Sequence, residues 1–447
     1  MSAIKVSKAS RLSRRRFLGY VTAGTVAVGG AAAGYYLYNI GLGGKGQATI
    51  PTTTLTETGS STLESTIVST STINYDAPEP RPVKCPFDIS AAYLHSFQGS
   101  HPRDTWSNYQ LHPLLGYYRT NDPWVADWHI KWAVEHGINT FAVHFLERPS
   151  WGKGVADART LDSGLLRAKY LDYIHFYAFY DSLMWMYDIG PQSFDDFERQ
   201  TEDTVTYLCE NYFAHRRYLR KENRPVLDVF NAFDYVDRFG KRKFISSMDT
   251  IRGVCKSYGY DVYLVGYAAA TWNHNDADFY AECFDALSFY NMTDAGASTS
   301  WKKDKNGYPT LVAPYDRMIY AYADECRFWS AISKKHQIGF VPSVCPAFSN
   351  RPFYEMGIDH WFVERLGSTP AKFKRMCEVV RSYVDSKLNR LYAEAWNEFP
   401  EDSVLEPTVE NGFEYIDALR DAYCDRPEDG WPPNLYPTKE GIKEYPQ

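Results

Sequence analysis

The chain has 447 residues and a formal net charge of −7, with 44% hydrophobic and 23% charged residues. That balance is ordinary for a globular protein with a large core, and it leaves no basic footprint for nucleic acid. Eight cysteines occur with no CxxC pair and no Cys/His cluster at zinc-finger spacing, so neither a metal site nor a cofactor is expected. Aromatic residues make up 16% of the chain, 35 tyrosines and 12 tryptophans among them. Such rings serve either as core or as the walls of a wet, sugar-binding cleft, and composition does not separate the two.

In chain order, residues 1–47 come first. Ser13 to Leu18 read Ser-Arg-Arg-Arg-Phe-Leu ahead of an uncharged apolar stretch, which reads as a twin-arginine-type export signal. Ala31-Ala32-Ala33 offers a cleavage site, and the stretch is also long enough to stay as a membrane anchor. Residues 48–84 are a Ser/Thr-rich and then Pro-rich linker, too polar to bury a core. The expected arrangement is an exported, extracellular or surface-displayed domain spanning 85–447.

From Phe87 onward short apolar runs alternate with amphipathic ones. The runs are Asp88–Leu94, Asn139–Leu146, Leu183–Asp188, Pro225–Phe230, Asp261–Gly266, Ala286–Asn291, Ile338–Cys345 and Arg390–Trp396. Their lengths suit strands buried on both faces. Helical periodicity marks the segment opened by Asp122-Pro123 and closed by Gly137. It also marks Leu165–Asp181, Phe194–Tyr218, Lys241–Tyr258, Asp276–Phe284, Tyr315–His336, Pro370–Lys387 and Gly412–Tyr423. Repeated strand-then-helix units predict an α/β fold, a (β/α)8 TIM barrel. The doubly wound open sheet is the alternative, but the segment after Leu94 lacks its Gly-rich loop.

Barrel enzymes carry their sites at the carboxyl ends of the strands. The residues expected there are Tyr93, His144, Asp188, Asn231, Tyr267, Tyr290, Asn350, Arg351, Trp396 and Asn397, a set that suits a polyhydroxylated ligand. The eighth run carries the sharpest signal. Five acids fall within the thirteen residues from Glu394 to Glu406. Glu398 ends the strand, and Glu401 follows three residues later, close enough for both to face one cleft. Paired carboxylates are what glycoside hydrolysis requires.

Trp396-Asn397-Glu398-Phe399-Pro400-Glu401, then Leu405-Glu406-Pro407 and Gly412-Phe413-Glu414-Tyr415-Ile416, resembles the last-strand signature of glycoside hydrolase family 99 and its relatives. Gly116-Tyr117-Tyr118 with Asp122-Pro123, and the run Val344 to Arg351, agree with it. The resemblance implies a (β/α)8 barrel cleaving α-mannosides inside a chain with retention and without a metal. It makes Glu398 the base that takes the proton of the sugar 2-hydroxyl and Glu401 the acid that later serves as base toward water. Glu406 becomes a substrate-site or loop-ordering carboxylate. Asp402 stands where the family signature has glycine.

Two other functions remain open on the residues alone: a non-catalytic glycan-binding surface protein, and a transglycosylase or glycan-assembly enzyme. The partner in each case is an oligosaccharide or polysaccharide. Cys85 precedes the first strand and Cys424 ends the last helix, both at the amino-terminal face of a closed barrel. An exported protein is therefore expected to join them in a disulfide, worth roughly 3–5 kcal/mol in the chain-entropy view.

Overall fold

Runs rich in aromatic and branched side chains, buried along both faces, form the inner wall of the protein, as parallel strands require. The computed structural model describes residues 76–94, 106, 108–145, 161–181, 193–357, 359–438 and 441–442. The segments expected to form an export signal and a Ser/Thr-rich linker, and Asp188, lie outside the described residues. Among the described residues, no helix is long and apolar enough to cross a membrane.

The wall consists of β1 (Asp88–Tyr93), β2 (Ile138–Phe145), β3 (His175–Tyr180), β4 (Arg224–Val229), β5 (Tyr263–Tyr267), β6 (Ala286–Ser288), β7 (Gly339–Val341) and β8 (Arg390–Ala393). Each strand pairs in parallel with the next from β1 to β7, and β1 pairs in parallel with β8. The seventh strand is interrupted at Pro342. Its first part pairs with β6, and Ser343–Val344 pairs with β8, so the ring closes but for that one-residue break. Helices surround it, as expected of a (β/α)8 barrel.

Local chemistry sets several helix starts. Asp122 accepts from the Trp124 backbone N–H at 2.9 Å, and Pro123 opens α1 (Pro123–Glu135). Ser193 caps α2 (Phe194–Asn211) through the Asp196 N–H. Thr369 and Pro370 do the same for α5 (Pro370–Arg381). Between these lie α3 (Lys241–Ser257) and α4 (Tyr315–His336), and α6 (Glu414–Tyr423) completes the ring.

The third strand departs from the sequence reading. It is His175–Tyr180, not Leu183–Asp188, and the expected helix over Leu165–Asp181 holds two short 3-10 turns before the strand begins. The run His-Phe-Tyr-Ala-Phe-Tyr is aromatic on both faces, which suits a buried strand better than an amphipathic helix. Two insertions were also not foreseen. Pro309–Pro314, after β6, and Phe362–Leu366, after β7, pair in parallel outside the barrel at its carboxyl end. At the end of the expected linker, Tyr170 donates to the Ala77 carbonyl at 2.8 Å and the Val83 N–H to the Val134 carbonyl at 2.9 Å, so residues 76–84 lie against the barrel.

Inside the ring, the lower layer holds a buried charge. The Arg390 guanidinium lies 4.8 Å over the Tyr177 ring and 3.8 Å from Asp228, whose other partner is the Tyr267 hydroxyl at 3.0 Å. Burial pushes Asp228 up to about 6 despite the cation. Arg390→Met would leave that carboxyl without its cation, at a cost of about 3–5 kcal/mol. Urea denaturation should show a larger loss at pH 8 than at pH 5, where Asp228 takes up a proton. An unchanged midpoint at pH 8 would contradict this account of the barrel floor.

Cys85 and Cys424 meet at the amino-terminal face, where both thiols are free. They flank Gly137, whose φ is +85° and where an added Cβ would fall 2.1 Å from the Cys424 sulfur. Their contact lowers the Cys85 thiol and raises that of Cys424. Mild oxidation should therefore yield the Cys85–Cys424 peptide pair in non-reducing peptide mapping, ahead of any other pairing. Two unmodified thiols after oxidation would refute the pairing.

Candidate active site

Beyond β8, Asn397–Glu398 turns back antiparallel to Ser403–Val404 through one 3-10 turn, Phe399–Glu401. Glu398 precedes the turn and Glu401 ends it, and the two carboxyls lie within electrostatic reach of each other. Asp402 closes the turn at φ +52°, in the left-handed region. That conformation explains why a glycine suits this position and why an Asp is tolerated.

Both glutamates are buried, and a third carboxyl joins them. On β8 Arg390 and Tyr392 face inward, and Glu394, the first residue past the strand, continues that alternation. The Tyr392 ring packs against Phe179, Tyr267 and Tyr290 in the barrel interior, with Glu394 above it. Burial pushes Glu394 up to about 7. Glu398 rises through burial and then through Glu394, and Glu401 through burial, Glu398, Glu394 and Asp359. The Tyr290 hydroxyl donates to Glu398 Oε2 at 3.4 Å. Both carboxyl oxygens of Glu394 and of Glu401, Oε1 of Glu398, and the Trp396 indole N–H lack hydrogen-bond partners among the described residues. The site thus offers unused acceptors behind aromatic rings.

Of the residues expected at the site, Tyr290, Glu398 and Glu401 come together. Others are engaged elsewhere. Tyr93 bonds His129 at 3.1 Å, and Tyr267 bonds Asp228 on the barrel floor. Asn397 grips the Leu94 backbone through both its carbonyl and its amide, at 2.8 and 2.9 Å. Asn350 holds Asp359 at 2.7 Å and the Val363 N–H at 2.9 Å, and Arg351 pairs with Glu364 at 2.6 Å, so both order the insertion after β7. Asn231 is a left-handed turn residue after β4 with φ +46°. The Trp396 ring packs against His129 and Phe141. His144 bonds Asp181 at 3.1 Å and lies against Phe179 and Phe230, rings that also touch Tyr290.

Two residues were missed. Asp181 is the acid at the end of the true β3, hidden by the displaced strand. Glu394 was counted among the five acids but given no role, although its i+2 spacing from Tyr392 marks the inward face.

Glu406 is bound within the protein. Tyr118 donates to it at 2.7 Å and His129 Nε2 lies 3.2 Å away, with the Tyr118 hydroxyl also 3.2 Å from the Asn397 amide. This network ties both ends of the carboxylate loop to the first β/α unit. A cleft of about 950 Å³, lined by Lys221, Arg224, Lys334 and Lys387 among others, lies at the opposite, amino-terminal end and away from the carboxylates.

The family model described as glycosyltransferase WbsX matches residues 190–419, more than half of the chain and the whole carboxylate loop. The chain belongs to the WbsX family. A solved glycoside hydrolase-like protein is 16% identical to this WbsX-family chain, covering 79% of it and 98% of its own length, with a TM-score of 0.55. Two structures of the GH99 endo-alpha-mannosidase from Bacteroides thetaiotaomicron are 13% and 12% identical. They cover 75% of the WbsX-family chain and 95% and 96% of their own, with TM-scores of 0.50 and 0.51. These likenesses show a shared barrel fold, and with the family match they agree with the family-99-like resemblance read from the last strand. No curated protein matches the chain.

The network around Glu406 predicts how its loss is felt. Tyr118→Phe removes a hydroxyl that serves both Glu406 and Asn397, and should cost about 1–3 kcal/mol in urea unfolding. Stability unchanged within error would show that the loop is held by other means.

Proposed function

We propose that the protein is a glycan-active enzyme of the retaining glycosidase type, endo-acting on α-mannosidic or similar α-linked chains. The observation that carries this reading is the set of buried carboxyls on one short turn, with unused hydrogen-bonding capacity among aromatic rings. A polyhydroxylated ligand both donates and accepts, and can satisfy the free oxygens of Glu398 and Glu401 together.

Glu398 takes the proton of the sugar 2-hydroxyl as that oxygen closes on the anomeric carbon. Glu401 gives its proton to the departing glycosidic oxygen. Water then opens the anhydro-sugar, with Glu401 taking the water's proton and Glu398 returning one to the ring substituent. The raised proton affinity of Glu401, driven by burial and neighbouring acids, suits a group that must arrive protonated near neutral pH.

The family description favours a second reading, transfer to a sugar acceptor in place of water. The same carboxylates serve either outcome. A nucleotide diphosphate donor suits the site poorly, because buried acids repel its charge. Under this reading the donor is a glycoside, and the enzyme is a transglycosylase.

A digestion screen with α-linked manno-oligosaccharides and other glycans, read by product mass, tests the assignment. Glu398→Gln and Glu401→Gln should each lower turnover by roughly 10²–10⁴-fold while leaving folding and ligand binding in place. Wild-type rates in both variants would remove them from the chemistry.

A further inference from the structure

Glu394 is a buried acid that the two-carboxylate scheme does not use. It is the first residue beyond β8, between that strand and the turn that carries Glu398 and Glu401, and is fully buried. Neither of its carboxyl oxygens has a hydrogen-bond partner among the described residues. Cys345 after β7, Asn291 after β6 and Ser403 on the returning strand are polar neighbours that draw its proton affinity down, and Glu398 and Glu401 on the turn lie within reach of its charge. The titratable groups that feel its charge are Cys345, Tyr290, Tyr322, Tyr392, Glu398 and Glu401. All of these are acids, so none of them offers a positive charge to offset it.

We propose that Glu394 is a positioning residue of the reaction centre, which acts through Glu398 and Glu401 by keeping a proton on the pair. The proposal rests on the catalytic reading given above. Three carboxyls in one water-poor space cannot all be ionised, because like charges at close range raise one another's proton affinity. With two acids, one proton is held and one charge is exposed. The third acid keeps the general acid Glu401 protonated to a higher pH than the pair alone could. As Glu394 itself ionises near pH 7, its charge falls on neighbours that still hold their proton.

Glu394→Gln preserves shape and removes the charge. Without that like charge, Glu398 and Glu401 both release their protons at lower pH. The alkaline limb of kcat, which reports loss of the proton on Glu401, should therefore move down by about one pH unit, and the acid limb should move the same way. A readout that needs no turnover is the carbon-13 titration of the glutamate carboxyls, where the Glu398 and Glu401 signals should shift to lower pH in the variant. Carboxyl titrations that coincide in wild type and Glu394→Gln would overturn the proposal. A rate lost at every pH with the limbs in place would do the same, since that is the mark of a purely structural residue. Absence of turnover in the wild type on every glycan would instead count against the catalytic reading, and the carbon-13 titration would still decide the role of Glu394.

Discussion

A carboxyl taken out of water resists ionising, and each further carboxyl beside it resists more. The loop after β8 accepts that cost three times over. Glu394, Glu398 and Glu401 are all buried and lie within one another's electrostatic reach. Free energy of this kind is spent where a protein needs proton affinity raised, and structural acids are more simply placed at the surface. The rest of the fold can be understood as the apparatus that holds these acids out of water and in register.

That apparatus is built from rigid parts. The barrel delivers Glu394 by strand alternation, while one 3-10 turn fixes the spacing of the other two. Asn397 ties the start of the loop to the end of β1, and Glu406 ties its end to Tyr118 and His129. Beneath, Tyr392, Phe179, Tyr267 and Tyr290 fill the barrel with rings, which exclude water from the carboxyls above. Lower still, Arg390 and Asp228 hold a buried charge pair that faces a different neighbourhood. The two polar layers are separated by aromatic side chains, so the cation below does not neutralise the acids above.

The last strand was legible because its chemistry is local: an apolar run, then two acids at a spacing that one turn converts into proximity. The barrel was legible from the alternation of runs, and α4 was read to its ends. The third strand was not, because an aromatic-rich run such as Phe176 to Tyr180 carries no periodicity to choose between helix and strand. Asn350, Arg351 and Asn397 were read as ligand contacts because polar residues at strand ends either face a ligand or brace their own loop. Both tasks use the same amide and guanidinium groups, and only the partner across space, remote in sequence, decides between them. Glu394 went unassigned for a related reason. Its inward direction depends on the register of β8 against β1, with Ala91 opposite Ala393.

The most direct measurement is a crystal structure of the Glu401→Gln variant with a bound α-linked oligosaccharide. The account predicts that a glycosidic oxygen lies within hydrogen-bond distance of the side chain at 401, with a 2-hydroxyl facing Glu398 and the sugar ring against Tyr290. An oligosaccharide bound instead in the cleft around Arg224 and Lys334 at the other end of the barrel, with the carboxylate loop unvisited, would contradict it.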